Sequence, residues 1–424
     1  MFDLRKIKDS GIEWIGEIPC NWIVSKMKYL FTVLSGSTPS SYEENWDGDV
    51  FWITPADYNT KDKYVGMGKR NISKLGYLSC STCIVPIGTI IFSKRAPIGT
   101  VAIATKELCT NQGCLSCIKK EKISEEYYYY ILSIGTEHFE LLGTGTTFKE
   151  ISVNNFLNCL IPVPSFEEQK KIVKSLKNKC IKIDKIYLSL QKQIDILEQY
   201  KKSLITEVVT KGLNVNVKMK DSGIEWIGKI PVHWNIHPVY YYFAERKNKN
   251  VQGKESNLLS LSYGRVIRKD INANGGLLPE NFNTYNIVEE GDIIIRPTDL
   301  QNDKRSLRTG LVKEHGIITS AYIGLMSIHH VDTRYFHYLL CSYDVMKVFY
   351  NMGNGVRQGL NFSEFSRLMV FEPPYREQVL ISDYLDEKIE KIDMLIKEKK
   401  KQLTVIEDLK KSIIFEYVTG KKEL

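Results

Sequence analysis

The sequence has no long apolar run. No stretch of its 424 residues approaches the roughly 18–20 consecutive apolar residues of a membrane span, and residues 1–16 carry no apolar signal-peptide core. The nine cysteines are an odd number scattered through the chain, which does not resemble a disulfide framework. These absences argue against a membrane protein and a disulfide-rich secreted protein, and we expect a cytoplasmic location with no membrane partner.

Recognisable catalytic motifs are absent as well. The seven histidines form no metal-ligand pattern, and no nucleophile–base pair stands out. Residues 223–229 fit G-x-x-x-x-G-K, but Ile230 stands where a phosphate-binding loop needs a hydroxyl group for Mg²⁺. Residues 372–375 (EPPY) resemble the Asn-Pro-Pro-Tyr box of adenine methyltransferases, yet no cofactor-binding glycine motif accompanies them. We therefore predict that the chain is not an enzyme and has no catalytic residue and no cofactor of its own.

Two Cys-x-x-Cys pairs leave one alternative open. Cys80 with Cys83, and Cys114 with Cys117, have the spacing of zinc-ribbon ligands. Small thiols also pack readily in apolar interiors, and residues 80–91 alternate like the beginning of a strand. We predict no metal site and keep a zinc-containing protein as the alternative.

The formal net charge of +8 is unevenly distributed along the chain. Residues 166–212 hold 11 lysines against six acidic residues, whereas residues 375–421 hold ten charges of each sign. A lysine-rich helix is often only a solvated face. The charge is therefore compatible with a nucleic-acid partner without establishing one.

A long internal repeat organises the chain. Residues 8–22 (KDSGIEWIGEIPCNW) and 220–234 (KDSGIEWIGKIPVHW) are identical at twelve of fifteen positions, 212 residues apart. Residues 164–169 (PSFEEQ) and 373–378 (PPYREQ) then begin two long helical patterns, 209 residues apart. We call these repeated segments the frames, and the stretches between them share little sequence. Such a pattern is expected when the frames serve assembly and the dissimilar stretches recognise different ligands.

This layout predicts four parts: a first head (1–165), a central helical spacer (166–212), a second head (213–374) and a C-terminal helical spacer (375–424). Each head mixes short β-like and helical runs between Gly and Pro turns, which predicts α/β (mixed α+β) heads. The candidate strands are Cys83–Val85, Thr89–Ser93, Val101–Ala104, Ile293–Arg296 and Ile317–Leu325, and the candidate helices are Glu125–Ile134 and Thr333–Tyr350.

Both spacers carry heptad repeats, the pattern of a coiled-coil seam. Ser165 with Glu168 forms a capping-box pattern where the first spacer begins. Lys201 and Lys410 interrupt the seam at equivalent positions, and parallel pairing would place their two ammonium groups together in an apolar seam. We therefore predict an antiparallel intramolecular coiled coil. Its seam residues include Leu176, Ile183, Leu190, Leu197, Leu204, Leu385, Ile392, Ile406 and Ile413.

Basic, amide and hydroxyl residues recur in loops of both heads, and such side chains hydrogen-bond base edges and phosphates. The DNA-binding candidates in the first head are Lys69, Arg70, Lys94, Arg95, Thr144, Thr146, Thr147 and Lys149. Those in the second head are Arg265, Arg268, Lys269, Arg296, Gln301, Asn302, Lys304, Arg305, Arg308, Arg357 and Gln358. Any single one of them is more often a plain surface charge than a base contact, and the runs 299–308 and 353–358 are the stronger candidates.

The frames resemble those of a known family. The K-D-S-G-I-E-W-I-G-x-I-P-x-x-W opening in two copies, and P-x-x-x-E-Q before each long helix, are similar to the DNA-specificity (S) subunits of type I restriction–modification systems. Residues 88–104 (GTIIFSKRAPIGTVAIA) and 109–113 (CTNQG) resemble stretches of one type of head in that family. The resemblance covers essentially the whole chain, with Cys114 and Cys117 as a departure from it.

The resemblance implies two target-recognition domains that each read one half of a bipartite, asymmetric site in double-stranded DNA. It implies a complex with two modification (methyltransferase) subunits and, for cleavage, with restriction (translocase/nuclease) subunits. S-adenosylmethionine would bind the modification subunit, and ATP and Mg²⁺ the restriction subunit. The remaining alternative is a coiled-coil scaffold without specific DNA reading, but a scaffold needs no pair of large unlike heads.

Overall fold

The computed structural model describes residues 6–423 apart from 60–61, 96, 146–148, 272–280, 299–306 and 353–358. The chain forms two compact units, the first made of residues 1–190 and 402–424 and the second of residues 191–401. Both units therefore contain segments of both long helices. The four-part division at residues 165, 212 and 374 stays a prediction.

The first unit is built around a five-stranded sheet of order β4-β11-β8-β9-β7, antiparallel except for the parallel β7–β9 pair. Its strands are β1 (Ile7–Asp9), β2 (Glu17–Pro19), β3 (Ile23–Lys26), β4 (Phe31–Ser35), β5 (Trp46–Val50), β6 (Trp52–Ile53), β7 (Tyr64–Val65), β8 (Ile90–Ser93), β9 (Val101–Ala104), β10 (Cys109–Thr110), β11 (Cys114–Lys119) and β12 (Leu160–Val163). Its helices are α1 (Met27–Leu30), α2 (Lys74–Leu78), α3 (Glu125–Ile134), α4 (Thr136–Leu141), α5 (Val153–Asn158) and the first part of α6 (Phe166–Lys211).

The second unit has a four-stranded antiparallel sheet of order β16-β23-β20-β21. Its strands are β13 (Met219–Asp221), β14 (Lys229–Pro231), β15 (Asn235–Pro238), β16 (Phe243–Glu245), β17 (Leu259–Ser262), β18 (Arg265–Arg268), β19 (Asn286–Val288), β20 (Ile293–Ile295), β21 (Thr309–Leu311), β22 (Gly316–Ile318), β23 (Ile323–Ser327) and β24 (Met369–Glu372). Its helices are α7 (Val239–Tyr242), α8 (Thr333–Val345), α9 (Phe362–Phe365) and the first part of α10 (Tyr375–Val418).

The repeated frames fold alike. In each copy the repeated motif forms an antiparallel strand pair, β1–β2 and β13–β14, in the same register. The motif ends in a fully buried tryptophan, Trp22 or Trp234. Its indole N–H donates to a carboxylate in the first turn of the long helix, Glu168 or Glu377, at 3.2 Å in both copies. The Ser165–Glu168 capping box is present as predicted, so each frame fixes the beginning of one long helix.

Each unit also binds the end of the other long helix. The Tyr127 hydroxyl of the first unit donates to the Val418 carbonyl oxygen at 2.8 Å, near the end of α10. The Tyr335 hydroxyl of the second unit donates to the Val209 carbonyl oxygen at 3.2 Å, near the end of α6. The two hydroxyl groups thus occupy equivalent places in the repeat.

The long helices pair antiparallel in the second unit. The Lys201 ammonium group lies 2.7 Å from the Asp393 carboxylate, and Lys399 donates to the Gln193 side chain at 2.5 Å. Moving forward along α6 from Gln193 to Lys201 therefore means moving backward along α10, from Lys399 to Asp393. This direction confirms the predicted antiparallel coiled coil.

The first unit shows the same direction of pairing. Lys410 lies 2.6 Å from Asp184, and Lys179 lies 5.7 Å from the centre of the Tyr417 ring. Lys201 and Lys410 are therefore each matched to an aspartate of the opposite helix instead of to each other, and Lys399, which also interrupts the seam, is matched to Gln193. The nine seam residues named from the heptads are all buried or half-buried.

Several predicted elements of the heads differ from the structure. Cys83–Val85 forms no strand, because Val85 makes only an isolated bridge to Leu108. The stretch Ile317–Leu325 is two strands, since a turn closed by Tyr322 N–H to the Thr319 carbonyl separates β22 from β23. The predicted helix Thr333–Tyr350 ends at Val345, because Lys347 adopts a left-handed backbone with φ of 62°. Helix α3 has the predicted bounds.

Within the described ranges, no helix is long and apolar enough to cross a membrane.

Candidate nucleic-acid interface

A cluster of opposite charges connects two loops of the first unit. The Lys94 ammonium group lies 2.9 Å from Glu150 Oε1, and the Arg95 Nε donates to Glu150 Oε2 at 2.7 Å. The Lys94 side chain is only 11% exposed, whereas that of Arg95 is 46% exposed. Of the two predicted candidates, Arg95 therefore faces solvent and Lys94 is an internal anchor. The prediction that Lys94 is a surface contact for DNA is therefore corrected, because its side chain lies mostly inside the unit and its ammonium group pairs with Glu150.

A second exposed guanidinium lies at another edge of the first unit. Arg70 donates to both Asp47 oxygens, at 3.1 and 2.8 Å, and its guanidinium lies 4.5 Å from the centre of the Trp46 ring. Asp47 has a left-handed backbone with φ of 59°, a conformation that Asp tolerates. Lys69 is exposed, and its backbone N–H donates to Asp57 at 2.9 Å. The pair Arg70–Asp47 is fixed but lies in acidic surroundings, because Glu43, Glu44 and Asp49 are exposed on the same short segment.

Other candidates of the first unit lie beside the Glu150 loop. Thr144 and Lys149 are exposed, and the Thr144 backbone pairs with that of Glu150 in an isolated bridge. Thr146 and Thr147 lie outside the described residues, as do six candidates of the second head. Those six are Gln301, Asn302, Lys304, Arg305, Arg357 and Gln358.

A β-hairpin carries the exposed candidates of the second unit. Strands β17 and β18 meet at a turn in which Tyr263 and Gly264 both have positive φ, and Tyr263 is 81% exposed. Arg265 pairs with Asp393 of α10, Arg268 donates through Nε to Glu314 at 2.7 Å, and Lys269 is exposed. The hairpin is therefore a basic ribbon, two of whose arginines are held by carboxylates.

The prediction that Arg308 lies on the surface is corrected by the structure. Its side chain is fully buried in the second unit, with Nη1 donating to the Thr298 carbonyl oxygen at 2.6 Å. Its backbone N–H donates to Asp344, which is also buried. Arg308 therefore stabilises the interior of the unit and is not a surface contact for DNA. Arg296 is half-buried, and its backbone N–H donates to the Arg308 carbonyl oxygen.

The cysteine pair on β11 does not have the geometry of a zinc site. Cys114 and Cys117 are three residues apart on one strand, and they pack into two different apolar clusters on opposite faces of the sheet. Burial raises the pKa of the Cys114 thiol to about 12 and that of Cys117 further. Both thiols therefore stay protonated and apolar. Among the described residues, no three His, Cys, Asp or Glu side chains are grouped to hold a metal ion.

Carboxylates are the residues that sequence reasoning missed. Glu150, Asp47, Asp393 and Glu314 each bind a predicted cation. A search for basic, amide and hydroxyl side chains passes over acids, and most of these partners are distant in sequence. Only Glu150, which follows Lys149 in a loop already under consideration, carried a local signal.

The paired helices expose a second candidate surface in each unit. Ile186 and Leu409 occupy the same heptad position beside the seam. Both stand next to the Lys410–Asp184 pair in sequence, since Ile186 follows Asp184 by two residues and Leu409 precedes Lys410 by one. With Val405 they form what we call the first apolar patch, whose members are 46–63% exposed. The repeat-equivalent residues of the second unit, Leu395, Tyr200 and Ile196, form the second apolar patch and are 52–53% exposed.

Comparisons with known proteins fit this organisation. A family model described as type I restriction modification DNA specificity domain matches residues 19–206. The type I restriction enzyme MjaIX specificity subunit of Methanocaldococcus jannaschii is 41% identical over 189 residues, 44% of this chain and 43% of the relative. The putative MjaX specificity subunit of the same organism is 32% identical over 222 residues, 51% of this chain and 48% of the relative. This chain thus spans about half the length of these curated relatives.

A solved structure shares the fold over almost the whole chain. It comes from work on complex assembly and conformational transition of a type I R-M system, and its TM-score is 0.72 at 13% identity. The match covers 96% of this chain and 99% of that chain.

Proposed function

We propose that this chain, as a member of the type I restriction–modification DNA-specificity family, reads the DNA sequence for a multisubunit enzyme. In this proposal the chain has no catalytic site of its own. The observation that carries the proposal is the repeated frame. Both units make the same tryptophan–carboxylate contact and bind the end of the other helix in the same way, while their interiors differ. Each head then reads one half of a bipartite, asymmetric site in double-stranded DNA.

Exposed cations in both heads support DNA as the ligand. In the first head these are Lys69, Arg70, Arg95, Lys149, and in the second Arg265, Arg268 and Lys269. Several of the arginines are held by carboxylates, which fixes the guanidinium in one place and lowers the entropy that binding would otherwise cost. Guanidinium groups in fixed positions suit base edges and phosphates.

The two apolar patches support docking of two copies of one partner. Patches of equivalent residues on a repeated frame present the same surface twice, and exposed apolar clusters mark interaction sites. In the second unit, Asp393 binds Arg265 of the head from one flank of the helix pair, whereas Leu395 belongs to the opposite flank. The second apolar patch therefore faces away from the residues that would read DNA. Each of the two patches binds one modification subunit.

Partner subunits supply the chemistry in this proposal. S-adenosylmethionine binds the modification subunits, and ATP and Mg²⁺ serve restriction subunits that join the complex for cleavage. This chain contributes the choice of sequence, so its residues position partners and DNA and move no proton or methyl group.

The decisive experiment is a methylation map. The chain is co-expressed with the modification subunit from its own locus, and methylated adenines are located across the host genome. The proposal expects one two-part motif with a fixed gap that disappears when this chain is omitted. Soluble, co-purifying subunits that leave no new methylation would overturn DNA reading.

The patches are tested by changing one at a time. Ile186→Asp should remove one of two bound modification subunits in native mass spectrometry, and Leu395→Asp should remove the other, because a carboxylate there must be desolvated without a partner. Leu188→Asp is the matched control, because Leu188 is 65% exposed on α6 outside the patch and Lys397 stands at its repeat position. Two copies bound to the Ile186 variant would contradict the assignment of the patch.

A further inference from the structure

Glu150 is a carboxylate with both oxygens engaged. Oε1 accepts the Lys94 ammonium group at 2.9 Å, and Oε2 accepts the Arg95 Nε at 2.7 Å. Burial alone would raise the pKa of Glu150, but hydrogen bonds from Lys94 and Arg95 outweigh burial and lower it. Glu150 therefore stays ionised at neutral pH, and each of its oxygens already accepts a cation of its own unit.

The backbone around this ion pair is fixed as firmly as the side chains. The Ile151 N–H donates to the Lys94 carbonyl oxygen at 3.0 Å, and the Ser93 hydroxyl donates to the Arg95 carbonyl oxygen at 2.8 Å. Arg95 and Glu150 also face each other in an antiparallel bridge. The loop after β8 and the loop before α5 are thus joined, and Arg95 is held by backbone and side chain together.

The guanidinium keeps one edge for a ligand. Its Nε side is turned to Glu150, and within the described part of the chain the Nη atoms have no acceptor. With Lys94, Arg95 and Glu150 the cluster carries one net positive charge, and exposed Lys149 adds a second. Two parallel N–H groups on a fixed plane match the O6 and N7 acceptors that only guanine presents side by side in the major groove.

Resting on the proposed function, we infer that Arg95 reads a guanine in the first half-site and that Glu150 is the residue that positions it. The buried Lys94 neutralises and orients Glu150, so the three residues act as one unit. The carboxylate fixes the plane of the guanidinium before DNA arrives, and the specificity of the first head at one base pair follows from that geometry.

The test compares sequence preference in the complex of this chain with its modification subunits. Variants Arg95→Gln, Arg95→Lys and Glu150→Gln are mapped by genome methylation and by competition between DNA duplexes changed at each base of the first half-site. Lys119→Gln is the control for loss of a charge, because Lys119 is equally exposed at 46% and paired with Glu125 at 3.1 Å. Thermal unfolding of each variant shows whether it is folded.

The expected result is local. Arg95→Gln should lower discrimination at one G·C pair of the first half-site by about 10- to 100-fold, as loss of a bidentate contact does, and leave the second half unchanged. Arg95→Lys should lose the same discrimination although it keeps the charge, and Glu150→Gln should lose part of it at the same base. Lys119→Gln should change no base preference.

Other outcomes overturn the inference in separable ways. A weaker affinity spread evenly over all sequences, rescued by Arg95→Lys, would make Arg95 a phosphate contact. An unchanged first half-site in a folded Arg95→Gln complex, or a first half-site without a G·C pair, would remove Arg95 as a reader while the proposed function stands. A wild-type complex without any two-part motif would overturn the proposed function itself.

Discussion

Lys201 and Lys410, which interrupt the helix seam at equivalent positions, make a quantitative prediction. Lys201 pairs with Asp393 and Lys410 pairs with Asp184, and these pairs are equivalent in the repeat. They differ in exposure, since the first pair is 26% and 27% exposed and the second 35% and 52%. Asp393 also binds Arg265, whereas Asp184 has no second cation among the described residues.

The difference in burial sets the expected energies. Exposed ion pairs contribute about 0.2–1 kcal/mol, whereas removing one partner of a buried pair costs about 3–5 kcal/mol. We expect a coupling energy of about 1–2 kcal/mol between Lys201 and Asp393, and of about 0.5 kcal/mol between Lys410 and Asp184. Asp393→Asn should cost more than Lys201→Met, because the first change leaves two cations without their carboxylate.

Two double-mutant cycles measure these couplings side by side. Urea unfolding followed by helical circular dichroism gives the free energies, and amide hydrogen exchange along each helix shows whether the loss is local. The repeat supplies the control, because the residue types and the register are the same in both pairs. Equal couplings in the two cycles, or a value near zero for Lys201 with Asp393, would refute the argument from burial.

Three further predictions rest on single residues. A hydrogen bond to Glu289 raises the pKa of His315 in the folded protein. The ion pair therefore gives its full stabilisation below the unfolded pKa of about 6.5, and that stabilisation is lost as the pH rises through the folded pKa. An NMR titration of His315 with no upward shift of its pKa would contradict this. The exposed thiols of Cys20 and Cys83 should react fast with a thiol reagent, whereas the buried thiols should react only after unfolding. Fast labelling of the buried thiols in the folded protein would disprove their burial. Arg308→Met should destabilise the chain by about 1–3 kcal/mol, because the Thr298 and Arg296 carbonyl groups lose a buried donor while the backbone bond to Asp344 is kept. A stable variant with weakened DNA binding would restore Arg308 as a DNA contact.

The sequence predicted the parts of the fold that depend on periodicity and repetition. Heptad spacing identified both long helices and their seam, and the matched positions of Lys201 and Lys410 were sufficient to predict antiparallel pairing. Helix α3 has the bounds that the sequence predicted, and the Ser124 hydroxyl caps its start.

Long-range contacts could not be predicted in this way. Arg265 and Asp393 are 128 residues apart, and nothing local in the sequence joins them. Arg308 stands in a run of polar residues that reads as a surface loop, yet backbone carbonyl oxygens and Asp344 give it partners inside the unit. Whether an arginine lies in a loop or in a core depends on such partners, which only tertiary structure brings together.

The contacts of the frames explain why the repeat stays alike where it does. Each head holds the start of one long helix through Trp22 or Trp234 of its frame, and the end of the other through Tyr127 or Tyr335 of its own helix α3 or α8. A change in one of these contacts therefore has to suit a partner encoded 126 to 291 residues away, whereas a change in a loop that touches neither long helix affects its own head alone. The same architecture that constrains the frames thus leaves the reading surfaces free to diverge, and two unlike heads on like frames are its natural product.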